Sequence, residues 1–234
     1  MYLFKKIKSS DGKRAFYLFG IKIHISQKKK TSIKADLSCN KISIPSTGKY
    51  KITIHGKNNE IYINTENIKS SLDVSIYGDN NKIHIDTTES IHLNGIIGDS
   101  VTKTDNTTLK IENGTSINGL QFYLMDNNSS IQIGKNCMIS WDVEIWASDT
   151  HSILDENNNL INLGKEIIIG DSVWIGKDVK ILKNSIIPDG CIVGMGSIVS
   201  KKFTTNNAIL VGIPAKIVKE NISWSQKRPN EFLK

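Results

Sequence analysis

The stretch that decides the fold is residues 169–199, which read IGDSVWIGKDVKILKNSIIPDGCIVGMGSIV. Every sixth position in it is Ile or Val: Ile169, Ile175, Ile181, Ile187, Val193 and Val199. Four residues after each of the first five comes a small or medium-sized side chain: Val173, Val179, Ser185, Cys191 and Ser197. A period of six matches neither the alternation of a single strand nor the 3.6 residues of a helical turn. It predicts a β-solenoid in which an inward side chain recurs once per flat side of a coil.

The same register extends upstream through Ile133, Ile139 and Ile145 and then breaks. Residues 152–166 are polar and rich in Asn, and they follow directly on the lone histidine of this region, His151. We predict that they form a loop that leaves the solenoid, and long loops in compact repeats often carry function.

The first half of the chain repeats more loosely. Alternating strands joined by Asn-rich turns occur three times, in residues 52–63, 74–85 and 122–133, as expected of a solenoid whose coils vary in length. The predicted organisation of this all-β chain has four parts: a basic N-terminal segment (1–40), irregular solenoid coils (41–130), a regular β-helix (131–219) and a C-terminal tail (220–234).

The composition suits one domain with a sizeable core, since 38% of the 234 residues are hydrophobic. The apolar run at the start ends at Lys5, too early for a signal peptide or a membrane span, so we expect a cytoplasmic protein. The three cysteines are odd in number, and Cys137 and Cys191 occupy repeat positions that need a small apolar side chain. A disulfide framework is therefore not expected.

Positive charge is concentrated at the N-terminus. Residues 1–35 carry a formal charge of +9 while the whole chain carries +7. With its interleaved aromatic residues, this segment could contact an anionic membrane or a polyanionic glycan. The alternative is a solvated basic arm with one hairpin at residues 13–25. Nucleic acid is not expected as a partner, because the excess charge does not extend onto the solenoid.

Four motifs carry a resemblance to a known family. In chain order they are IGKNCMISWDVEIWASDTH (133–151), GKEIIIGDSVWIG (164–176), GMGSIVSK (194–201) and VGIPAK (211–216). Their order and spacing resemble the hexapeptide-repeat acyltransferases, especially the maltose, galactoside and capsular-polysaccharide O-acetyltransferases. The resemblance covers residues 131–219. It implies a left-handed parallel β-helix of three-sided coils, a homotrimer, and acetyl-CoA bound in the cleft between neighbouring subunits.

The resemblance places the catalytic histidine of the family at His151. An alcohol that attacks a thioester must lose a proton near neutral pH, and imidazole is well matched to accept it. A general base needs an orienting partner, for which Asp149 and Asp142 are competing candidates. Either carboxylate could instead bind the hydroxyls of the acceptor.

Three tryptophans are candidates for contacts with the substrates. Trp174 occupies the recurring aromatic position of the family, where its ring could pack on pantetheine or its N–H could point toward the thioester; the alternative is that it only covers the coil. Trp141 and Trp146 could form a stacking wall for a sugar, although packing between subunits would explain them equally well.

The resemblance also suggests the residues that bind the cofactor, among which glycines allow close approach of the pantetheine arm and lysines meet the phosphates. With Trp174, the candidates are Gly176, Gly194, Gly196, Ser197, Lys201, Lys202 and Lys216. The chain departs from the family at Met195, where Ala is usual, and at Lys177, where many relatives carry Gly. No metal is expected, because a zinc hydratase on this fold would need three histidines and the wall offers only His151.

The leading hypothesis is an O-acetyltransferase in which His151 deprotonates a sugar hydroxyl of a surface polysaccharide or its precursor. The hydroxyl then attacks acetyl-CoA directly, without a covalent enzyme intermediate. Two alternatives stay open: N-acetylation of a sugar amine, and a non-catalytic trimeric scaffold or glycan-binding solenoid.

Overall fold

The computed structural model describes residues 5–8, 14–18, 21–25, 31–65, 67 and 69–233, with side chains from residue 31 onward. The chain divides into two compact units, residues 1–31 and 32–234. In the first unit, three antiparallel strands form a sheet: β1 (Lys5–Lys8), β2 (Arg14–Leu18) and β3 (Ile21–Ile25). The β2–β3 pair is the hairpin considered for residues 13–25. Nearly all side chains that would contact a membrane lie outside the described residues.

The second unit is a β-solenoid. Its strands are β4 (Ser32–Lys34), β5 (Lys41–Ser43), β6 (Lys49–His55), β7 (Glu60–Asn64), β8 (Ser71–Tyr77), β9 (Lys82–Asp86), β10 (Ile91–Ile97), β11 (Thr108–Ile111), β12 (Ser116–Leu124), β13 (Ser130–Ile133), β14 (Met138–Ile139), β15 (Val143–Trp146), β16 (Glu166–Ile169), β17 (Trp174–Ile175), β18 (Lys180–Leu182), β19 (Ile186–Ile187), β20 (Ile192–Val193), β21 (Ile198–Val199), β22 (Ile209–Gly212) and β23 (Ala215–Lys219). A 3₁₀ turn follows at Pro229–Glu231.

The strands stack in parallel ladders, and β22 with β23 forms the one antiparallel pair among the described strands of this unit. In the regular region Ile169 pairs with Ile187, Ile175 with Val193 and Ile181 with Val199. All six side chains are buried. The six-residue period therefore marks the core-facing position, and stacked residues are 18 positions apart. The prediction of an all-β parallel solenoid is confirmed.

The change from irregular to regular coils occurs at β12. This long strand pairs with β14 through Ser116 and Ile117, and with β15 from Leu120 to Tyr123. Upstream of β12, each long strand pairs with one long strand of the neighbouring coil. Downstream, two short strands replace each long one, so that strands from three ladders make up one coil.

A ladder of buried amides holds the upstream coils in register. The side-chain oxygen of Asn40 accepts from the backbone N–H of Asn59, that of Asn59 from Asn81, and that of Asn81 from Thr107, each at 2.9 Å. Buried backbone donors must find acceptors, and an asparagine in each coil supplies one to the next. Neighbouring turn residues such as Asn58 and Asn80 have φ of 56° and 59°, a left-handed conformation that Asn tolerates well.

Candidate active site

His151 follows β15 at the base of the predicted loop. Ile145 and Ala147 before it point into the core, whereas the His151 side chain is exposed. No hydrogen bond to its imidazole is found among the described residues. His151 lines a pocket of about 60 Å³ with Asp126, Ser148, Thr150, Ser152, Leu160, Asn162 and Leu163.

The predicted loop leaves the solenoid as a short hairpin. Leu154 and Leu160 form an antiparallel bridge, and the Ile161 N–H donates to the Ile153 carbonyl at 3.0 Å. At the tip the Asp155 carboxylate accepts from the backbone N–H groups of Asn157 and Asn159, both at 2.8 Å. The loop is thus ordered by its own hydrogen bonds. Five exposed aliphatic side chains lie along it: Ile153, Leu154, Leu160, Ile161 and Leu163.

Asn162 closes the base of the hairpin beside His151. Its side-chain amide donates to the His151 carbonyl at 2.8 Å and to the Asp149 carboxylate at 2.9 Å. Its side-chain oxygen accepts the Ile153 N–H at 2.8 Å. One side chain therefore contacts the backbone on both sides of Ser152.

The Asp149 carboxylate faces this amide and the ammonium of Lys183, and no described hydrogen bond joins it to the imidazole. The hydrogen bond from Lys183 holds the pKa of Asp149 below its ordinary value, and Asn162 adds to the effect, against the upward pull of partial burial. Lys183 also donates to the Asn162 carbonyl. Sequence reasoning missed both Asn162 and Lys183, since neither belongs to one of the four motifs.

Three lysines on one coil pair with three carboxylates on the preceding coil. Lys183 pairs with Asp149 as described, Lys180 with Glu144 at 2.8 Å, and Lys177 with Asp142 at 3.3 Å. The bond from Lys180 lowers the pKa of Glu144, and the Trp146 indole N–H, which donates to the same carboxylate, lowers it further. Asp142 thus lies in an ion pair on the outer surface.

The predicted aromatic wall has a partner that the sequence did not suggest. Trp146 stacks on Tyr123 of the preceding coil, with ring centroids 3.8 Å apart and planes inclined by 16°. The Tyr123 hydroxyl donates to the Gln121 side chain at 3.0 Å. Trp141 stands separately and is 58% exposed. Stacking between equivalent positions of neighbouring coils could have suggested the Tyr123 contact only if the coil length had been known.

Trp174 lies beside the C-terminal tail. The Trp224 ring is tilted against it by 45° at a centroid distance of 6.0 Å. The Trp224 indole N–H donates to the Ser172 carbonyl at 2.6 Å. Trp174 therefore lies against a residue of its own chain, a contact that sequence reasoning also missed.

The three lysines predicted to bind phosphate line one pocket of about 440 Å³. Lys201, Lys202 and Lys216 surround it with Phe203, Thr204 and Ile217. The Lys201 ammonium lies 5.0 Å above the Phe203 ring. The structure thus brings these three cations together, as a site for a polyanionic group requires.

The glycines near this pocket are required for two different reasons, which are close packing between coils and a left-handed backbone conformation. A Cβ on Gly194 would lie 2.4 Å from the Val211 side chain, and one on Gly176 would lie 2.8 Å from the Met195 N. Both positions therefore need glycine for packing between coils. Gly196 has φ of 71° and open space around it, so its backbone conformation favours glycine there. Ser197 is buried and accepts the Gly212 N–H at 3.1 Å.

Comparison with known proteins identifies the family. No family model matches the chain. A polysialic acid O-acetyltransferase of Neisseria meningitidis is 33% identical over 184 residues, which cover 77% of this chain and 82% of the relative. This chain belongs to the hexapeptide-repeat O-acetyltransferases. The prediction of an acyltransferase is confirmed, and the scaffold alternative loses its support.

Other relatives agree with this membership. A polysialic acid O-acetyltransferase of Escherichia coli O1:K1 is 35% identical over 144 residues, which are 61% of this chain but only 46% of that relative. A crystal structure of a polysialic acid O-acetyltransferase superposes with a TM-score of 0.69 at 30% identity, covering 85% of this chain and 89% of the other. The parallel β-helix of this hexapeptide-repeat family therefore extends into the irregular coils.

Among the described residues no group of His, Cys, Asp and Glu side chains could hold a metal ion. Nor does any helix in that part of the chain have the length and hydrophobicity to cross a membrane.

Proposed function

We propose that this chain transfers an acetyl group from acetyl-CoA to a hydroxyl of a surface polysaccharide. Family membership supports O-acetyl transfer, and two of the relatives are named for polysialic acid. A capsular polysaccharide that contains sialic acid is therefore the first acceptor class to test. We expect the enzyme to act in the cytoplasm.

The exposed imidazole of His151 is the observation that carries the mechanism. It stands at the base of an ordered loop, and no described residue forms a hydrogen bond with its ring, so the acceptor hydroxyl can approach it. The acceptor hydroxyl loses its proton to His151 as its oxygen bonds to the thioester carbonyl carbon. When the carbon–sulfur bond breaks, the proton can pass to the departing thiolate, and the imidazole returns to its neutral form.

Attack by the acceptor itself is favoured over a covalent intermediate. The two cysteines of the regular coils are unsuitable nucleophiles, because burial raises the pKa of the Cys137 thiol to about 11 and also raises that of Cys191. A buried thiol of high pKa is inert, since the thiolate is the nucleophile.

The pocket of Lys201, Lys202 and Lys216 is proposed to hold the coenzyme phosphates. Three lysines that line one opening suit a polyanion, and lysines bind phosphate as point charges. We retain Trp174, Gly176, Gly194, Gly196 and Ser197 as predicted contacts of the pantetheine arm or the thioester.

On the acceptor side we retain Trp141, Trp146 and Asp142 as predictions. The stack of Trp146 on Tyr123 offers a rigid aromatic edge for a sugar ring. The homotrimer and the left-handed sense of the coils also remain predictions from the family.

The function is tested by incubating the full chain with acetyl-CoA and polysialic acid, and following release of the coenzyme thiol. Acceptor-dependent release, with a new O-acetyl signal in the NMR spectrum of the polymer, is expected. Release that occurs only with amino sugars, with an N-acetyl product, would replace O-transfer by N-transfer. Comparing neutral capsular polymers in parallel assigns the acceptor class.

A further inference from the structure

Asn162, Lys183 and Asp149 form a group at the base of the hairpin that we call the clamp. The clamp holds the backbone of His151 and makes no described hydrogen bond to its ring. Asn162 bonds both the His151 carbonyl and the Ile153 N–H, at 2.8 Å each. The chain is thereby held immediately on both sides of Ser152, one residue after the imidazole.

The clamp is anchored to the regular coils by a charge. Lys183 follows β18, and its ammonium bonds both the Asp149 carboxylate and the Asn162 carbonyl. Its side chain is 17% exposed while that of Asp149 is 40% exposed. Because this lysine side chain is mostly buried, leaving its charge without a partner would be costly. Lys183 thus links the hairpin to the regular coils of the solenoid.

The reacting histidine needs such support, because its own side chain provides none. The imidazole has no described hydrogen bond, and Thr150 before it has φ of 64°, a conformation that β-branched residues rarely adopt. A general base must lie within about 2.6–3.2 Å of the group it deprotonates. A shift of about 1 Å can cost about 100-fold in rate.

We infer that Asn162 and Lys183 are positioning residues for His151, and that Asp149 supports catalysis through this clamp and not by a hydrogen bond to the ring. The inference rests on the proposed role of His151 as the general base. It also changes the predicted part of Asp149: the carboxylate orients the loop backbone, and the backbone orients the imidazole.

The two roles of Asp149 predict different patterns of variants. A ring partner would make Asp149→Asn severe, and Lys183→Met and Asn162→Ala mild. A clamp makes all three variants lose kcat to a similar degree, about 10- to 100-fold. It also makes the Asn162→Ala/Lys183→Met double variant little worse than the more severe single variant, since either change alone releases the clamp.

The experiment measures kcat, KM for the acceptor and Kd for acetyl-CoA in the full chain. Asn162→Ala and Lys183→Met are expected to lower kcat with the acetyl-CoA Kd within about twofold of wild type, and Lys183→Arg is expected to recover most of the rate. Asn157→Ala is the matched control: it lies in the same hairpin, outside the clamp, and should keep the wild-type kcat. An unchanged acetyl-CoA Kd, with a melting temperature that stays above the assay temperature, excludes simple unfolding as the cause of a low kcat.

Two results would overturn the inference. One is a wild-type kcat in both Asn162→Ala and Lys183→Met. The other is a loss in Asp149→Asn alone, with additive effects in the double variant. If His151→Ala is inactive while the clamp variants are fully active, the inference fails and the proposed function stands. If His151→Ala is itself fully active, the proposed mechanism fails.

Discussion

The ring of Trp224 lies against that of Trp174, with centroids 6.0 Å apart. The C-terminal tail that carries Trp224 runs back along the coils: the Ile222 N–H donates to the Asn207 carbonyl, and the Trp224 indole N–H donates to the Ser172 carbonyl. The tail therefore connects separate coils of the solenoid. Its Trp224 lies against Trp174, the tryptophan that the family resemblance assigns to the substrates.

We expect Trp224→Ala to detach the tail. Loss of one hydrogen bond and of the ring contact should cost about 1–2 kcal/mol locally, which raises the detached population about 5- to 30-fold. The measurement is the rate of trypsin cleavage after Lys219 and Lys227. Phe232→Ala is the control, because Phe232 is 64% exposed; equal cleavage rates in the two variants would contradict the docking of Trp224.

The Asp149 carboxylate should contribute pH-dependent stability. Its pKa is lowered in the folded chain, so the contribution is fully present above the unfolded value of about 3.9 and is lost as the pH falls through the folded value. We expect Asp149→Asn to be less stable than wild type at pH 6, and the difference to shrink below about pH 4. Urea unfolding at several pH values measures it. A difference that stays constant down to pH 3 would show that the ionised form is not what stabilises the loop.

The three thiols should react at very different rates. Cys39 is partly exposed, whereas Cys137 and Cys191 are buried and have raised pKa values. Because the thiolate is the reactive form, a thiol reagent at pH 8 should modify Cys39 first and the other two only after denaturation. Mass spectrometry of digested protein identifies the sites. Rapid labelling of Cys137 in the folded chain would contradict its place in the core.

The lysine pocket should bind the coenzyme through charge. Lys201→Ala/Lys216→Ala is expected to weaken acetyl-CoA binding about tenfold or more, corresponding to about 1.4 kcal/mol, and to reduce its salt dependence. Calorimetry at two salt concentrations measures both. Lys51→Ala serves as control, because Lys51 pairs with Asp73 on the upstream coils. Equal affinities in all three proteins would place the phosphates elsewhere.

Much of the fold could be predicted because the core-facing residues of a regular solenoid recur in the sequence at a fixed spacing of six. The same period that put Ile169 and Ile187 in one register also made them stack. The loop could be recognised because it broke that period. The pairing of the regular coils with the irregular coils could not be predicted, since the contact of Trp146 with Tyr123 depends on a coil length that varies upstream.

The candidate site divides in the same way. His151, Lys201 and Lys216 lie in the four motifs, and Lys202 directly follows one of them, so their positions could be proposed from sequence. The residues that support them could not, because Asn162 and Trp224 act through backbone groups of His151 and Ser172. Such contacts leave no repeat or charge pattern. For the same reason the sequence left Asp149 and Asp142 as competing candidates to orient the imidazole and did not reveal that the Asp149 carboxylate bonds to Lys183.

The measurement that tests the central claim most directly is acetyl transfer by His151→Ala, with His84→Ala as control. His84 stacks on Tyr62 in the upstream coils and has no part in the proposed chemistry. Loss of a general base should lower kcat by about two or more orders of magnitude, while acetyl-CoA still binds with wild-type affinity. A His151→Ala enzyme that retains wild-type kcat on the same acceptor would contradict the account.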